Sequence, residues 1–224
     1  MLNLCSTTFK GLDLPINVNK SHCLRIGPRS NNYCAPLVLN GSIIKWSNDT
    51  NYLGITICKK NKFSCCWHES KSKFYCSANT IFGRLGSSAP ENVLLKLIGS
   101  QALPILMYGI SAATLSDSAL QSLSYAYDSV FAKIFKVTNT QIIRFCQYYS
   151  GQLCFSLRYD LSRYNFLNNM IIKGQLIDKR KIDALDIQDL NRLRTKYGFT
   201  CNDSVNLVKR KVWNYFFFNI DRKL

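Results

Sequence analysis

The chain has few side chains of the kinds that perform catalysis, and their spacing does not assemble an active site. Nucleotidyl transfer by two metal ions requires a cluster of carboxylates. The only acids before residue 100 are Asp13, Asp49, Glu69 and Glu91, and none of them is paired or lies on a turn between apolar strands. The two histidines stand in no Ser-His-Asp or Cys-His context, and no glycine-rich phosphate loop is present. The sequence therefore predicts no metal ligands and no complete catalytic machinery.

Ten cysteines are the other reactive side chains, and their spacing favours packing over metal binding. Metal sites use paired ligands at short spacing, such as C-x-x-C, which this chain lacks. The stretch "CCWH" puts Cys65, Cys66 and His68 close together, but no second half-site follows. No basic segment followed by an apolar run marks a signal peptide, so we expect reduced thiols in an intracellular protein. The choice between nucleus and cytoplasm stays open.

A strong positive charge is the main global indication of function. The chain of 224 residues carries 29 lysines and arginines against 13 acids, a net charge of +16. Such an excess is typical of proteins with a polyanionic partner, usually nucleic acid, although a solvated basic surface is the alternative. Residues 1–84 hold 11 basic and 3 acidic side chains, and residues 151–224 hold 14 and 7, so two basic segments flank a nearly neutral middle. No apolar run reaches the roughly 18 residues of a membrane span, so no membrane is expected.

In the C-terminal basic segment, cations alternate with the aromatic residues Tyr197, Trp213 and Tyr215. Aromatic rings beside cations could stack on single-stranded bases. The alternative is that Trp213, Phe216 and Phe217, which would share one helix, belong to the core. The cations concerned are Lys179, Arg180, Lys181, Arg192, Arg194, Lys196, Lys209, Arg210 and Lys211.

The elements that would position these residues begin with β-structure near the N-terminus. The stretch "LVLNGSII" at 37–44 predicts a hairpin, because Asn40-Gly41 fits a type I′ turn between two apolar runs. Alternating polarity predicts a strand over 22–26. The stretch "YLGITI" predicts a further strand over 52–57, with Gly54 in its middle, where a ligand or another backbone could come close.

Helical periodicity dominates the rest of the chain. It predicts a short helix over 1–12, and a bundle of roughly three helices over 64–137 with a kink near Pro104. Further helices follow in 138–224. The predicted fold class is α+β, with a small antiparallel N-terminal region over 1–63, a helical bundle over 64–137 and a basic helical region over 138–224.

The stretches "GLDLPINVNKSHCLRIGPR" and "NGSIIKWSNDTNYLGITI" resemble the end of the palm in reverse transcriptases of non-LTR (LINE-type) retrotransposons. In that family, a helix after the Tyr-x-Asp-Asp catalytic turn leads into G-L-x-(I/L)-N-x-x-K-(S/T/C), which is motif D. A hairpin, the primer-grip motif Y-L-G-(I/V)-x-(I/L) and a helical thumb follow. Here Gly11-Leu12, Ile16-Asn17 and Lys20-Ser21 match motif D, and Tyr52-Leu53-Gly54-Ile55 match the primer grip.

The resemblance covers about residues 1–137 well and 138–175 loosely. "FYCSANTIFGRLG", "LPILMYG" and "KIFKV" are similar to thumb-helix segments of the family. The fingers, the catalytic aspartates and most of the palm have no counterpart here, so the resemblance implies that they lie upstream in a complete enzyme. The region from 1 to 63 would then be a palm remnant and the region from 64 to 137 the thumb.

The resemblance also implies roles for individual residues. Lys20 would lie near the incoming triphosphate of a complete enzyme, where its ammonium could stabilise developing charge or act as general acid on the pyrophosphate leaving group. The segment Tyr52, Leu53 and Gly54 would grip the 3′ end of the primer. The basic residues around the start of the thumb could contact phosphates of an RNA–DNA duplex, which is recognised by its shape and backbone. These are Lys59, Lys60, Lys62, Lys71, Lys73 and Arg84.

Each of these residues also has a purely structural explanation. A lysine before a strand is usually just exposed, a glycine in a strand is often part of a bulge, and a surface lysine is usually only solvated.

The function implied is that of a fragment of an RNA-directed DNA polymerase that is inactive by itself and limited to binding an RNA or RNA–DNA template–primer. Magnesium and deoxynucleoside triphosphates would serve the complete enzyme, and no cofactor is expected for this chain. The alternatives are a non-catalytic nucleic-acid-binding protein derived from such an element, or a relic without function.

Overall fold

The structure, a computed structural model, describes residues 2–85, 89–177 and 184–220. The chain forms two compact units, an N-terminal unit, Met1–Trp67, and a C-terminal unit, His68–Leu224. The fold class is α+β, as predicted, with the strands near the N-terminus and helices after them. The predicted further division at residue 138 stays a prediction.

The N-terminal unit contains one helix and two small three-stranded sheets. Helix α1 (Leu2–Lys10) is followed by a 3₁₀ turn at Val18–Lys20. In the first sheet, β2 (Leu37–Leu39) pairs antiparallel with β3 (Ser42–Trp46), and β1 (His22–Cys23) pairs with β3 in parallel. The first sheet is therefore mixed rather than purely antiparallel.

The second sheet is antiparallel and lies in the order β4-β5-β6. Its strands are β4 (Asp49–Tyr52), β5 (Ile55–Cys58) and β6 (Ser64–Cys66). Residues 64–66, expected to begin a helix, form β6 instead because they pair with residues 56–58. Local sequence gives no indication of this pairing.

Two hairpin turns shape these sheets, and the sequence predicted one of them. Asn40 and Gly41 have φ angles of +52° and +77°, which confirms the expected turn with two left-handed residues. The side chain of Asn40 also accepts hydrogen bonds from Ser6 Oγ and Lys10 Nζ, each at 3.2 Å, which fastens α1 to this turn.

The predicted single strand over 52–57 is wrong. Leu53 and Gly54 form the two-residue turn between β4 and β5, with φ angles of +49° and +77°, and Tyr52 pairs with Ile55 across it. The predicted strand over 22–26 is also shorter, since its ladder ends at Cys23.

The C-terminal unit is helical in its described part. It begins with α2 (His68–Leu85) and α3 (Glu91–Leu97), and α3 continues through a π-helical segment at Ile98–Ala102 into α4 (Leu103–Met107). A 3₁₀ turn at Ile110–Ala112 follows. The irregular geometry occurs where a kink was predicted near Pro104. The remaining helices are α5 (Asp117–Phe135), α6 (Thr140–Tyr149), α7 (Phe155–Ile177), α8 (Ala184–Tyr197) and α9 (Val205–Asn219).

A buried cluster joins the last helices of this unit. Leu157, Leu193, Val212 and Phe216 are each fully buried in it. Phe217 is 54% exposed, contrary to the expectation that it would be core, because it lies about 100° around the helix from the buried Phe216 and about 140° to 180° from the buried Val212 and Val208.

One helical stretch in the described residues, Glu91–Ala112, is long and apolar enough to cross a membrane by length and composition alone. The sequence analysis missed it because the helix continues through polar residues and Pro104. The core helix of a soluble protein meets the same criterion, and Leu94, Ile98, Leu106 and Ile110 of this stretch are buried against the rest of the protein.

Candidate nucleic-acid interface

Lys20 is exposed at the end of the 3₁₀ turn Val18–Lys20, and the residues around it explain how the turn forms. Asn17 Oδ1 accepts a hydrogen bond from the backbone N–H of Lys20 at 3.2 Å. Ser21 Oγ donates to the backbone carbonyl of Asn17 at 2.8 Å. The Asn-x-x-Lys-Ser spacing therefore has a local structural role, since its asparagine and serine hold the turn that presents the lysine to solvent.

The segment Tyr52–Leu53–Gly54 forms an exposed turn. Tyr52 is 63% exposed and Leu53 is 71% exposed. A leucine in the left-handed region costs on the order of 1 kcal/mol, and an apolar side chain held there in solvent has no packing to offset the cost. Such strained and exposed residues are more frequent at ligand-contact sites than elsewhere.

Lys59, Lys60 and Lys62 lie in the connection between β5 and β6. The backbone fastens this connection to its neighbours: Lys59 N–H donates to the Asn48 carbonyl at 2.7 Å, and Gly27 N–H donates to the Lys60 carbonyl at 3.0 Å. The lysine backbones are thus fixed, and the side chains of Lys60 and Lys62 remain exposed.

Two adjoining cavities open beside these lysines. One, of about 530 Å³, is lined by Lys59, Lys60 and Lys62 among others. The other, of about 360 Å³, is lined by Arg25, Tyr33 and Lys59 among others. The two share Ser30, Asn31 and Lys59 as lining residues, and no Asp or Glu is among the described residues that line either one. We call this pair of cavities the basic cleft.

Most of the basic cleft was not predicted from the sequence. Arg25, Tyr33 and Trp46 line it and were not identified as candidates. The available signals were weak: a Gly-Pro break at 27–28 and an Asn-Asn pair at 31–32, which mark a loop without indicating where the loop packs.

The candidate residues of the C-terminal unit lie on α2. Lys71 is half-buried, and its Nζ donates to Ser122 Oγ of α5 at 2.9 Å, so it serves packing within the bundle. Lys73 forms an ion pair with Glu69 at 2.7 Å. Lys73 and Arg84 are eleven residues apart, which puts them on the same face of the helix, and both are exposed. This face remains able to contact phosphates.

The structure therefore divides the predicted site residues among separate places. The Tyr52–Gly54 turn and the Lys59–Lys62 connection lie at opposite ends of β5, whose four residues span about 14 Å at ~3.4 Å per residue. Lys20 lies on its own turn, and the α2 residues belong to the other unit.

The two units use their charges differently. Every ion pair among the described residues lies in the C-terminal unit, and none forms within the described residues 2–67. Residues 1–67 nevertheless contain eight lysines and arginines against two aspartates. The cations of the N-terminal unit are thus free of carboxylate partners in its described part, and they are available to an external anion.

The described residues do not fit the two-metal centre that the family resemblance implies for a complete polymerase. Magnesium needs oxygen ligands, mainly carboxylates. Asp13 lies in the turn after α1 and Asp49 begins β4, and no group of three His, Cys, Asp or Glu side chains suited to a metal ion occurs in the described part of the chain. No catalytic step is assigned to these residues.

Two thiols of the second sheet, Cys58 and Cys65, have pKa values above the ordinary one. Burial raises the pKa of Cys58, with a further contribution from the nearby Cys66, and burial likewise raises the pKa of Cys65. A raised thiol pKa leaves little thiolate at neutral pH, and thiolate is the form that binds metals and acts as a nucleophile. The basic cleft itself is lined by cations, asparagines, two aromatic residues and Cys34.

Comparison with protein-family models, curated proteins and solved structures found no match for this chain.

Proposed function

We propose that the chain is the palm-end, primer-grip and thumb part of an RNA-directed DNA polymerase of a non-LTR retrotransposon, and that it binds an RNA or RNA–DNA template–primer. Support for the family comes from the order of the motif D-like stretch, the Asn40-Gly41 hairpin and the Tyr52-Leu53-Gly54 segment. Support for binding comes from the unpaired cations of the N-terminal unit.

Two observations support the proposal most directly. The cations of the described residues 2–67 have no carboxylate partner, and a concave surface, the basic cleft, lies beside Lys59, Lys60 and Lys62. Phosphate contacts supply most of the affinity of a non-specific nucleic-acid complex, because each contact releases condensed counterions. Lys59 lines both cavities of the basic cleft, and Lys60 and Lys62 line one of them. These three lysines are the proposed phosphate-binding group.

Lys20, the Tyr52–Gly54 turn and the exposed α2 face of Lys73 and Arg84 are proposed as further contacts of a complete polymerase. Lys20 would act on the triphosphate only in that complete enzyme, because this chain holds no metal-binding carboxylate cluster among its described residues. With magnesium, deoxynucleotides and a primed template, this chain is expected not to extend the primer.

The test compares the triple variant Lys59→Glu, Lys60→Glu and Lys62→Glu with a control that has the same change in net charge. The control is Lys45→Glu, Lys96→Glu and Lys136→Glu, three exposed lysines that are not among the lining residues of the basic cleft. Binding of the full chain to an RNA–DNA duplex is measured over a series of salt concentrations.

Loss of three phosphate contacts should reduce the slope of log K against log salt by about 2 to 3, while the control should change it by less than one contact's worth. Equal effects of the two triples would show that total charge, and not the basic cleft, governs binding. A wild-type affinity that does not respond to salt would refute the proposal.

A further inference from the structure

We propose that the basic cleft takes an unpaired nucleotide, with its base against Tyr33 and its phosphate at Lys59, so that the chain prefers single-stranded nucleic acid to duplex. This inference rests on the proposed nucleic-acid binding and specifies which form of nucleic acid the cleft takes.

Hydrogen bonds fix the wall of the smaller cavity. Ser30 is buried, its Oγ donates to Asn61 Oδ1 at 3.3 Å, and its N–H donates to the Gly27 carbonyl at 2.9 Å. Trp46 Nε1 donates to the Ala35 carbonyl at 3.0 Å, which orients the indole at the cavity wall. A preorganised cavity of about 360 Å³ is within the range of ~300–1,000 Å³ that small-molecule sites occupy.

The lining of the smaller cavity offers hydrogen-bonding groups. Asn31, Asn32 and Asn48 are among its lining residues, and no side-chain amide of the three has a hydrogen-bond partner among the described residues. An amide offers two donors and an acceptor, which is the set of groups that the Watson–Crick edge of an unpaired base can satisfy. In a duplex that edge is already paired and the base is stacked, so it could not enter a cavity.

One of the residues that line the smaller cavity is an exposed tyrosine. Tyr33 is 88% exposed, and no ring contact holds it within the described structure. Stacking of a base on such a ring is tolerant of sequence and needs a base that has left its helix. Arg25 at the same wall donates to Cys34 Sγ at 2.9 Å, which leaves its remaining N–H groups able to face an anion.

The smaller cavity adjoins the cavity that contains the proposed phosphate-binding group. Lys59 lines both cavities, so a nucleotide whose base enters the smaller cavity would place its phosphate beside Lys59, Lys60 and Lys62 in the larger one. One strand can use both parts of the cleft at once.

The experiment compares Tyr33→Ala with Tyr125→Ala in the full chain. Tyr125 is 73% exposed on α5, so the control removes an equally accessible tyrosine from another surface. Each protein is titrated with a single strand that carries one 2-aminopurine, and with a hairpin duplex that has the same number of phosphates. Parallel titrations with RNA and DNA strands distinguish the two sources of an unpaired nucleotide.

Tyr33→Ala should weaken single-strand binding by about 5- to 150-fold and abolish the 2-aminopurine fluorescence change, because stacking on an aromatic side chain contributes that range per base. The duplex affinity and the salt slope should stay unchanged, since no charge is removed. Tyr125→Ala should change neither affinity.

The outcomes separate this inference from the proposed function. If the wild-type chain shows no salt-dependent binding to either probe, the proposed function fails and this inference fails with it. If the wild-type chain binds, but Tyr33→Ala weakens single strand and duplex equally or changes neither, only the unpaired-nucleotide inference is overturned.

Discussion

Substitution of Arg163 tests the account of how the C-terminal unit uses its charges. The Arg163 side chain, on α7, is only 1% exposed. Its Nε donates to Asp189 Oδ2 at 2.9 Å and its Nη2 donates to Asp186 Oδ1 at 2.6 Å, both on α8. Its Nη1 donates to the Ser111 carbonyl at 2.9 Å, and Nη2 also reaches Thr114 Oγ1 at 3.1 Å. One guanidinium therefore joins three segments of the unit.

The expected cost of Arg163→Ala follows from what the substitution leaves behind. The Asp189 side chain is only 9% exposed, so removal of Arg163 leaves its buried Oδ2 without a donor, while the more exposed Arg192 still bonds Oδ1. Breaking a buried pair in this way costs about 3–5 kcal/mol. For a chain of this length, that corresponds to a fall in melting temperature of roughly 6–20 °C.

Arg192→Ala is the matched control because Arg192 pairs with the same carboxylate, at 2.7 Å, but is 54% exposed. A pair with one partner in solvent contributes about 0–1 kcal/mol. Thermal and urea unfolding of the full chain, followed by circular dichroism, give both costs. Arg163→Met with Asp189→Asn should recover part of the loss, because it removes the buried carboxylate that lost its Arg163 donor as well as the arginine.

Similar costs for Arg163→Ala and Arg192→Ala would refute the reasoning, because burial would then not determine the contribution of these ion pairs. A cost below about 1 kcal/mol for Arg163→Ala would refute it too, since the loss of a buried cation that bonds both Asp189 and Asp186 should have cost more.

Two further predictions concern a turn and an ionised side chain. Gly41→Ala should destabilise the chain by about 1–2 kcal/mol in urea unfolding, because φ is +77° at this turn. Gly83→Ala, inside α2 with open space at the new Cβ, should stabilise the chain by about 0.5–1 kcal/mol. Stabilisation by both substitutions would contradict the left-handed turn. Hydrogen bonds from Lys211 and Thr200 lower the pKa of Asp203 to about 2, from an ordinary value of 3.8. The stability that Asp203 contributes should therefore be complete above about pH 4 and lost as the pH falls towards 2, so the unfolding curves of wild type and Asp203→Asn should converge on acidification; a difference that grows on acidification would contradict this.

The sequence predicted those parts of the fold that are specified by neighbouring residues. Asn40-Gly41 was identified as a turn because both residues tolerate positive φ at little cost. Leu53-Gly54 was placed inside a strand, because a leucine is an unusual choice for a left-handed position and the apolar alternation of 52–57 continues across it. The pairing of β4 with β5 decides the turn, and it depends on contacts between the two strands rather than on the alternation of residue types within 52–57.

The candidate site was predictable to the same limited extent. Lys59, Lys60 and Lys62 were identified because they are adjacent in sequence. Arg25, Tyr33 and Trp46 are up to 21 residues apart, and the pairing of β1 with β3 together with backbone hydrogen bonds between loops brings them to one cavity. No local pattern carries that information. The cleft therefore became visible only when the sheets had positioned the loops.

The distribution of charge along the sequence did not indicate which cations pair with carboxylates in the folded chain. The cations of 151–224 were grouped as one basic set, yet Lys196 bonds Asp160 at 2.8 Å and Lys211 bonds Asp203 at 2.6 Å, besides the pairs made by Arg192. Lys179, Arg180 and Lys181 lie outside the described residues.

A cation that is held by a carboxylate must give up that partner before it can bind a phosphate, so it contributes little to counterion release. The N-terminal unit has fewer cations, but its described part has none in an ion pair. For a polyanion, what matters is which cations stay unpaired after folding. The described residues 2–67 keep all eight of theirs, whereas six cations in the described part of the C-terminal unit pair with carboxylates. Charge-reversal variants in the N-terminal unit should consequently alter the salt dependence of binding more than equal numbers of changes among Arg192, Lys196 and Lys211.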